Sequence, residues 1–133
     1  MDAFLSEDAL LFLKALGALP SDSRETGCLI GHIQGRRFIV EKVFPAGKSF
    51  TRSPARFHEL NEIFGSRIIG FFQIRPDEKS RGGFLKPFAY GKLFLDVRFA
   101  GSRQMSVKPF VIDFRDDFYF SPIRLHRPSA RRA

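Results

Sequence analysis

Two polar side chains follow a short apolar run in the middle of the chain, and they are the first candidates for chemistry. Gln73 and Arg75 come after Ile68-Ile69-Gly70-Phe71-Phe72. Pro76 then ends the predicted strand, because proline has no N–H to donate to a neighbouring strand. Alternation along a strand predicts that both side chains point the same way. Polar groups at the end of a buried strand are a common site layout in α/β folds.

A reactive centre would also need a carboxylate that can act as a general acid or base. Glu25 is the best candidate, because it stands at the start of an apolar strand centred on Cys28-Leu29-Ile30. A solvated charge at a strand start is the plainer interpretation, and composition alone favours it. The chain contains no nucleophile elbow and no glycine-rich phosphate loop.

Histidine and cysteine do not form a metal-binding pattern. The three histidines (His32, His58 and His126) fall on a hairpin, a helix and the C-terminal tail, without ligand-type spacing. The single cysteine, Cys28, lies in an apolar run and is predicted to be a buried, inert thiol. Residues four apart on a strand are separated by roughly 13 Å, so Cys28 and His32 cannot form a dyad. No metal and no cofactor are therefore predicted.

Hydrophobic periodicity predicts the elements that position these residues. An amphipathic helix over 6–17 begins at Ser6, and a second helix follows Ser53-Pro54 and ends at Gly65. The charged, glycine-rich stretch 77–87 is predicted to be a loop. Strands are predicted at 28–30, 38–44, 68–74, 92–99, 110–114 and 118–120, the first two forming a hairpin. The fold class is α/β of the α+β type, with a mixed, mainly antiparallel sheet and two helices packed on it.

Length and charge define the domain and its surroundings. The 133 residues fit a single domain over 1–123, followed by a basic tail over 124–133 that is expected to be disordered. Acidic residues precede the first apolar run, which argues against a signal peptide, and no run is long enough to span a bilayer. A cytoplasmic protein without a membrane partner is predicted. The net charge of +8 permits a nucleic-acid partner.

Two stretches together resemble the JAB/MPN (JAMM) domain family. Glu25-Thr26-Gly27-Cys28-Leu29-Ile30-Gly31 is similar to its Glu-x-Gly-x-Leu-x-Gly strand, and Ile69 to Pro76 is similar to its Ile-Gly-aromatic-aromatic-His-x-His-Pro strand. The resemblance covers about residues 4–76 and implies that family's cytidine-deaminase-like layering. In the family, two histidines and an aspartate hold zinc, the strand glutamate acts on the zinc-bound water, and isopeptide or peptide bonds of ubiquitin-like proteins are hydrolysed.

The resemblance implies a degenerate active site here. Glu25 falls on the general acid/base position, which is then vestigial, and Gln73 and Arg75 fall on the two histidines. The family's serine and aspartate would fall near Gly83 and Lys86, so both are absent. Gln is a poor zinc ligand and Arg has no lone pair to donate. Arg75 could instead occupy the place of the cation and pair with Glu25.

Three functions follow from these observations. The first is a metal-free, non-catalytic JAB/MPN-like domain that binds another protein through a sheet edge and Phe-rich strands, with a homodimer as a further option. The second is an isopeptidase or peptidase with a relocated site that uses Glu25, Arg75 and either Asp96 or Asp113. The third is a nucleic-acid-binding module in which aromatic and basic residues alternate, as in Lys92-Leu93-Phe94 and Arg98-Phe99.

Overall fold

The computed structural model describes residues 1–19, 25–46, 54–100 and 104–128. Eight strands and three α-helices occur in these segments, and short 3₁₀ turns lie at Leu16–Ala18, Gly65–Arg67 and Pro87–Ala89. In chain order the elements are β1 (Asp2–Leu5), α1 (Glu7–Ala15), β2 (Thr26–Gln34), β3 (Arg37–Pro45), α2 (Pro54–Phe64), β4 (Ile68–Ile74), α3 (Glu78–Gly82), β5 (Leu93–Ala100), β6 (Gln104–Phe114), β7 (Phe118–Pro122) and β8 (Arg124–His126).

All eight strands belong to one sheet, in the order β7-β6-β5-β4-β2-β3-β1-β8. Three neighbouring pairs are parallel (β1–β3, β1–β8 and β4–β5), and the other four are antiparallel. The two end strands, β7 and β8, are separated in sequence by Ile123 alone. The sheet is therefore nearly barrel-shaped. The prediction of a mixed, mainly antiparallel sheet with two helices is confirmed.

The helix predicted over 6–17 is α1, extended by a 3₁₀ turn. The Ser6 hydroxyl accepts a hydrogen bond from the Ala9 amide (3.0 Å) and donates one to the Glu41 carbonyl (2.6 Å). The first bond caps the helix, and the second joins its start to β3. Ala9 and Leu13, one turn apart, are completely buried. Helix α1 thus packs its apolar face on the sheet, as its periodicity predicts.

Apolar residues cover both faces of the sheet. One set, the first cluster, includes Leu13 of α1, Phe72 and Val97. The other, the second cluster, includes Leu60 of α2, Phe71 and Phe94. Strand β4 contributes to both, and all seven of its residues are buried. The stretch predicted as the central strand, residues 68–74, is confirmed as β4.

Three short elements were not predicted. The stretch 77–87, expected to be a loop, contains α3, in which Asp77 and Ser80 form a reciprocal capping box. Strand β1 was missed, and β8 lies within the tail expected to be disordered, so that expectation is wrong for residues 124–126. These strands are held by their neighbours, since β1 lies between β3 and β8. Residues 129–133 and the predicted cap Ser53 lie outside the described residues.

In the described part of the chain, none of the helices combines the length and the hydrophobicity that a bilayer-spanning helix needs.

Candidate functional site

A row of buried polar side chains crosses the middle of the sheet. Thr26 on β2 is the register partner of Gln73 on β4, and Gln73 is the partner of Asp96 on β5. These three are the buried polar or charged residues in the described segments, with exposed fractions of 4%, 5% and 3%. Register partners project from the same face of a sheet. The sheet therefore gathers its buried polar groups in one line.

Asp96 is the charged centre of this row, and two arginines pair with it. Arg98 Nε donates to Asp96 Oδ1 at 3.0 Å, and Arg81 Nη1 lies 3.8 Å from Oδ2. Arg98 Nη2 also donates to the Pro76 carbonyl at 2.7 Å. Burying a charged carboxylate costs free energy unless it is paired and hydrogen-bonded, because the protein interior solvates charge poorly. The two guanidinium groups supply that pairing, and Arg98 also fixes the turn that follows β4.

Helix α3 supplies Arg81 and covers the row. The Gln73 Nε2 group donates to the Ser80 carbonyl at 3.3 Å. The Arg81 guanidinium lies 4.8 Å from the ring centroid of Phe120 and 5.4 Å from that of Phe110. Stacking on aromatic faces holds a guanidinium in place without neutralising it. Gln73 Oε1 and Arg81 Nε are buried and have no hydrogen-bond partner among the described residues.

Gln73 and Arg75 do not point the same way, so that prediction is wrong. Arg75 has a φ of +52°, in the left-handed region that non-glycine residues rarely adopt. Its guanidinium lies 5.2 Å from the ring centroid of Phe99, which packs against the first cluster. Gln73 instead lies on the side of α3. The left-handed backbone at Arg75 ends the alternation of the strand, and the two side chains lie on opposite faces of the sheet.

Glu25 is placed next to the end of β4. Its carbonyl accepts a hydrogen bond from the Ile74 amide at 2.8 Å, and the Arg75 amide donates to the Val97 carbonyl at 2.7 Å. These backbone bonds bring Glu25 and Arg75 to the same end of the sheet. Pairing of their side chains stays a prediction.

The other candidate groups are dispersed. The Asp113 carboxylate accepts a hydrogen bond from the Phe114 amide at 2.8 Å. On β6 it lies five residues from Lys108, the register partner of Asp96, which is roughly 17 Å along a strand. The structure therefore does not bring Asp113 and Asp96 together.

The three histidines also lie apart, each beside a different carboxylate. His32 is 3.4 Å from Glu41, His58 is 3.3 Å from Glu62, and His126 is 3.3 Å from Asp2. In the segments that the structure describes, no group of three or more His, Cys, Asp or Glu residues could hold a metal ion.

Cys28 and the aromatic strand residues occupy the core. Cys28 is completely buried, and burial raises the pKa of its thiol to about 12, as the prediction of an inert thiol requires. Phe94 is also completely buried, and Phe99 lies beneath Arg75. The Phe94 ring therefore cannot stack on a base, whereas a stacking role for Phe99 stays a prediction.

Sequence reasoning missed Arg81 and Arg98 as partners of the row. A signal for Arg98 exists, since Asp96 and Arg98 are two apart on a predicted strand and must share a face. No comparable signal exists for Arg81, because its helix was not predicted.

The fold is similar to that of a solved protein. The solution structure of DSY2949 from Desulfitobacterium hafniense, a structural genomics target, superposes with a TM-score of 0.66 and 17% sequence identity, over 96% of this chain and 95% of that chain. Neither protein-family models nor curated proteins gave a match. At this identity the likeness shows the fold alone.

Proposed function

We propose that this chain is a metal-free, JAB/MPN-like domain that acts as a protein-binding module. One observation carries the proposal: Asp96 is paired with two guanidinium groups and lies beside Gln73. By the resemblance, Gln73 is the position that matches a family histidine. Gln73 is hydrogen-bonded to Ser80, and Arg75 stacks on Phe99. This donor set does not fit zinc, because guanidinium offers no lone pair and the adjacent carboxylate is already paired with cations.

The partner surface that fits best is an aromatic edge, formed by Tyr90, Phe114 and Phe118. Tyr90 is 59% exposed and Phe114 is 51% exposed. Their rings lie 6.3 Å and 4.9 Å from that of Phe118. Phe118 packs against the second cluster, so the aromatic edge continues the core to the surface. Aromatic side chains anchor many protein interfaces.

An extended segment of another protein is the occupant that these features favour. Strand β7 is an end strand, with no neighbour on its outer side in the described sheet. Such an edge can accept a further strand from a partner. The turn between Phe114 and Phe118 exposes Asp116 and Asp117 against a single arginine, Arg115, so it is net acidic in an otherwise basic chain. A segment with Lys or Arg would complement it.

Photo-crosslinking tests the proposal directly. A photoreactive phenylalanine analogue replaces Phe114, and the same analogue replaces Ile63 as a control, because Ile63 is 71% exposed on α2. We expect a discrete protein adduct from position 114 and none from position 63. An adduct between two copies of the chain would identify a homodimer. Equal labelling from both positions would contradict a specific partner surface.

An activity assay separates this proposal from the hydrolase alternative. We expect the purified chain, incubated with zinc, to leave isopeptide and peptide substrates uncleaved. Hydrolysis that is lost in Glu25→Gln would overturn the non-catalytic proposal and establish a relocated site. A zinc-loaded chain, measured by native mass spectrometry, would show that the proposed reason for inactivity is wrong.

A further inference from the structure

Arginines from strands that are distant in sequence meet at one end of the sheet. Asp2 on β1 is the register partner of Arg37 on β3 and of Arg124 on β8. Because these three strands run parallel, they all start at the same end of the sheet. Arg36 lies in the hairpin turn, directly before Arg37. Met1, Asp2, Arg36, Arg37 and Arg124 line a groove of ≈ 360 Å³, which we name the arginine groove.

The groove faces outward. Ala3 and Phe38, the next register pair along β1 and β3, belong to the first cluster and are completely buried. Side chains alternate along a strand, so Asp2 and Arg37 project from the opposite face. Arg36 and Arg37 are exposed, and the side chain of Arg124 is 81% exposed. A dissolved ligand can therefore reach all three guanidinium groups.

Asp2 holds part of the groove in place. Arg124 Nε donates to Asp2 Oδ1 at 3.2 Å, and His126 Nε2 lies 3.3 Å from Oδ2. Arg124 makes this contact through Nε, and its terminal nitrogens can donate to a ligand. One carboxylate cannot neutralise three guanidinium groups, so the groove retains positive charge.

An aromatic row lies beside the charges. Phe4 is the register partner of His126, and their rings stack at 4.4 Å between centroids with an interplanar angle of 9°. The Arg37 guanidinium is 5.8 Å from the centroid of Phe4. The contact with Phe4 restricts the rotamers of Arg37, which lowers the entropy that its side chain loses when it binds a ligand.

We propose that the arginine groove binds phosphate groups. All three cations are arginines, whose planar forks match the oxygens of a phosphate in a bidentate manner. An acidic peptide is less well accommodated, since β8 has three residues and is too short an edge for stable strand addition. The phosphate can belong to a single-stranded nucleic acid or be free in solution. This proposal does not depend on the protein-binding function or on the aromatic edge.

Amide chemical shifts of the full-length chain test the proposal. Inorganic phosphate is titrated in one arm, and a short oligothymidine without a terminal phosphate in the other. We expect saturable shifts at Asp2, Arg37 and Arg124 with at least one of these ligands. If the oligonucleotide binds about tenfold more tightly than phosphate, with steep salt dependence, nucleic acid is the source of the phosphate. If phosphate alone saturates the groove, free phosphate is the source.

Variants establish that the arginines are responsible. We expect Arg37→Gln combined with Arg124→Gln to weaken binding by about tenfold or more, because charge-assisted hydrogen bonds are lost. Arg67→Gln removes one charge from an exposed 3₁₀ turn elsewhere, half the charge that the double variant removes, and should leave affinity within about twofold. Arg36→Gln removes a groove arginine in the hairpin turn without changing a strand residue, and it should also weaken binding. No shift with either ligand, equal loss in Arg67→Gln, or tighter binding of polyglutamate would overturn the proposal.

Discussion

Gln73 and Asp96 are register partners on the parallel strands β4 and β5, and their exposed fractions are 5% and 3%. A neutral amide thus lies beside the buried carboxylate that Arg98 and Arg81 neutralise. The arginines place fixed positive charge at the Asp96 carboxylate, so this buried row is an ion-paired site.

Replacing Asp96 should destabilise the fold. In Asp96→Asn, Arg81 and Arg98 lose the carboxylate that pairs with them, while the buried site keeps its shape. We expect the free energy of unfolding to fall by about 2 kcal/mol, below the value for a fully buried pair because Arg98 is half-exposed. Urea denaturation measures the change. Asp113→Asn, at a partly exposed carboxylate, is the control and should change stability by less than about 0.5 kcal/mol. Equal effects would show that the ion pairs of Asp96 contribute nothing specific.

A side chain at Gly70 should not be tolerated. A Cβ atom at this position would overlap the backbone carbonyl of Leu93 and approach its Cβ to 2.8 Å. Gly70→Ala must therefore separate β4 from β5, and we expect a loss of about 2 kcal/mol or more in the free energy of unfolding. Gly82→Ala is the matched control, because nothing lies within 4 Å of its added Cβ. Its helical position should make alanine neutral or stabilising, by up to about 1 kcal/mol. Thermal unfolding of both variants tests the difference.

The Cys28 thiol should be unreactive in the folded protein. It is completely buried, and burial raises its pKa to about 12, so thiolate is scarce at neutral pH. We expect modification by a thiol reagent to be slow at pH 8 in buffer and fast in denaturant, since unfolding restores an ordinary pKa of about 8.5. Mass spectrometry counts the modified chains. Rapid modification under native conditions would show that the second cluster opens locally around Cys28.

Asp2 should titrate at lower pH than a free aspartate. Desolvation acts to raise its pKa, but hydrogen bonds and charge from Arg124 and His126 outweigh it, and the net shift is downward. The stabilising contribution is therefore present above the unfolded value of about 3.9 and is lost as the pH falls through the lowered folded value. Carboxyl NMR titration measures this pKa. Arg124→Gln should raise it and Arg67→Gln should not; an unchanged value in Arg124→Gln would remove Arg124 as its cause.

Local pattern determined most of the regular elements. The alternating and periodic apolar residues, together with glycine and proline breakers, predicted α1, α2, the β2–β3 hairpin and the central strand β4. These elements are long enough for their own sequence to carry the signal. The inert character of Cys28 also followed from its apolar neighbours alone.

Only the tertiary structure decided the short elements and the sites. Strand β1 exists because it pairs with β3 and with β8, and among the described strands β8 is held by β1 alone. Helix α3 depends on a capping box rather than on an apolar face. The left-handed backbone of Arg75 reversed the predicted direction of its side chain. Burial of Asp96, its pairing with Arg81, and the meeting of Arg37 with Arg124 all depend on register between strands far apart in sequence. Such registers are set by how the whole core packs, which no local pattern specifies.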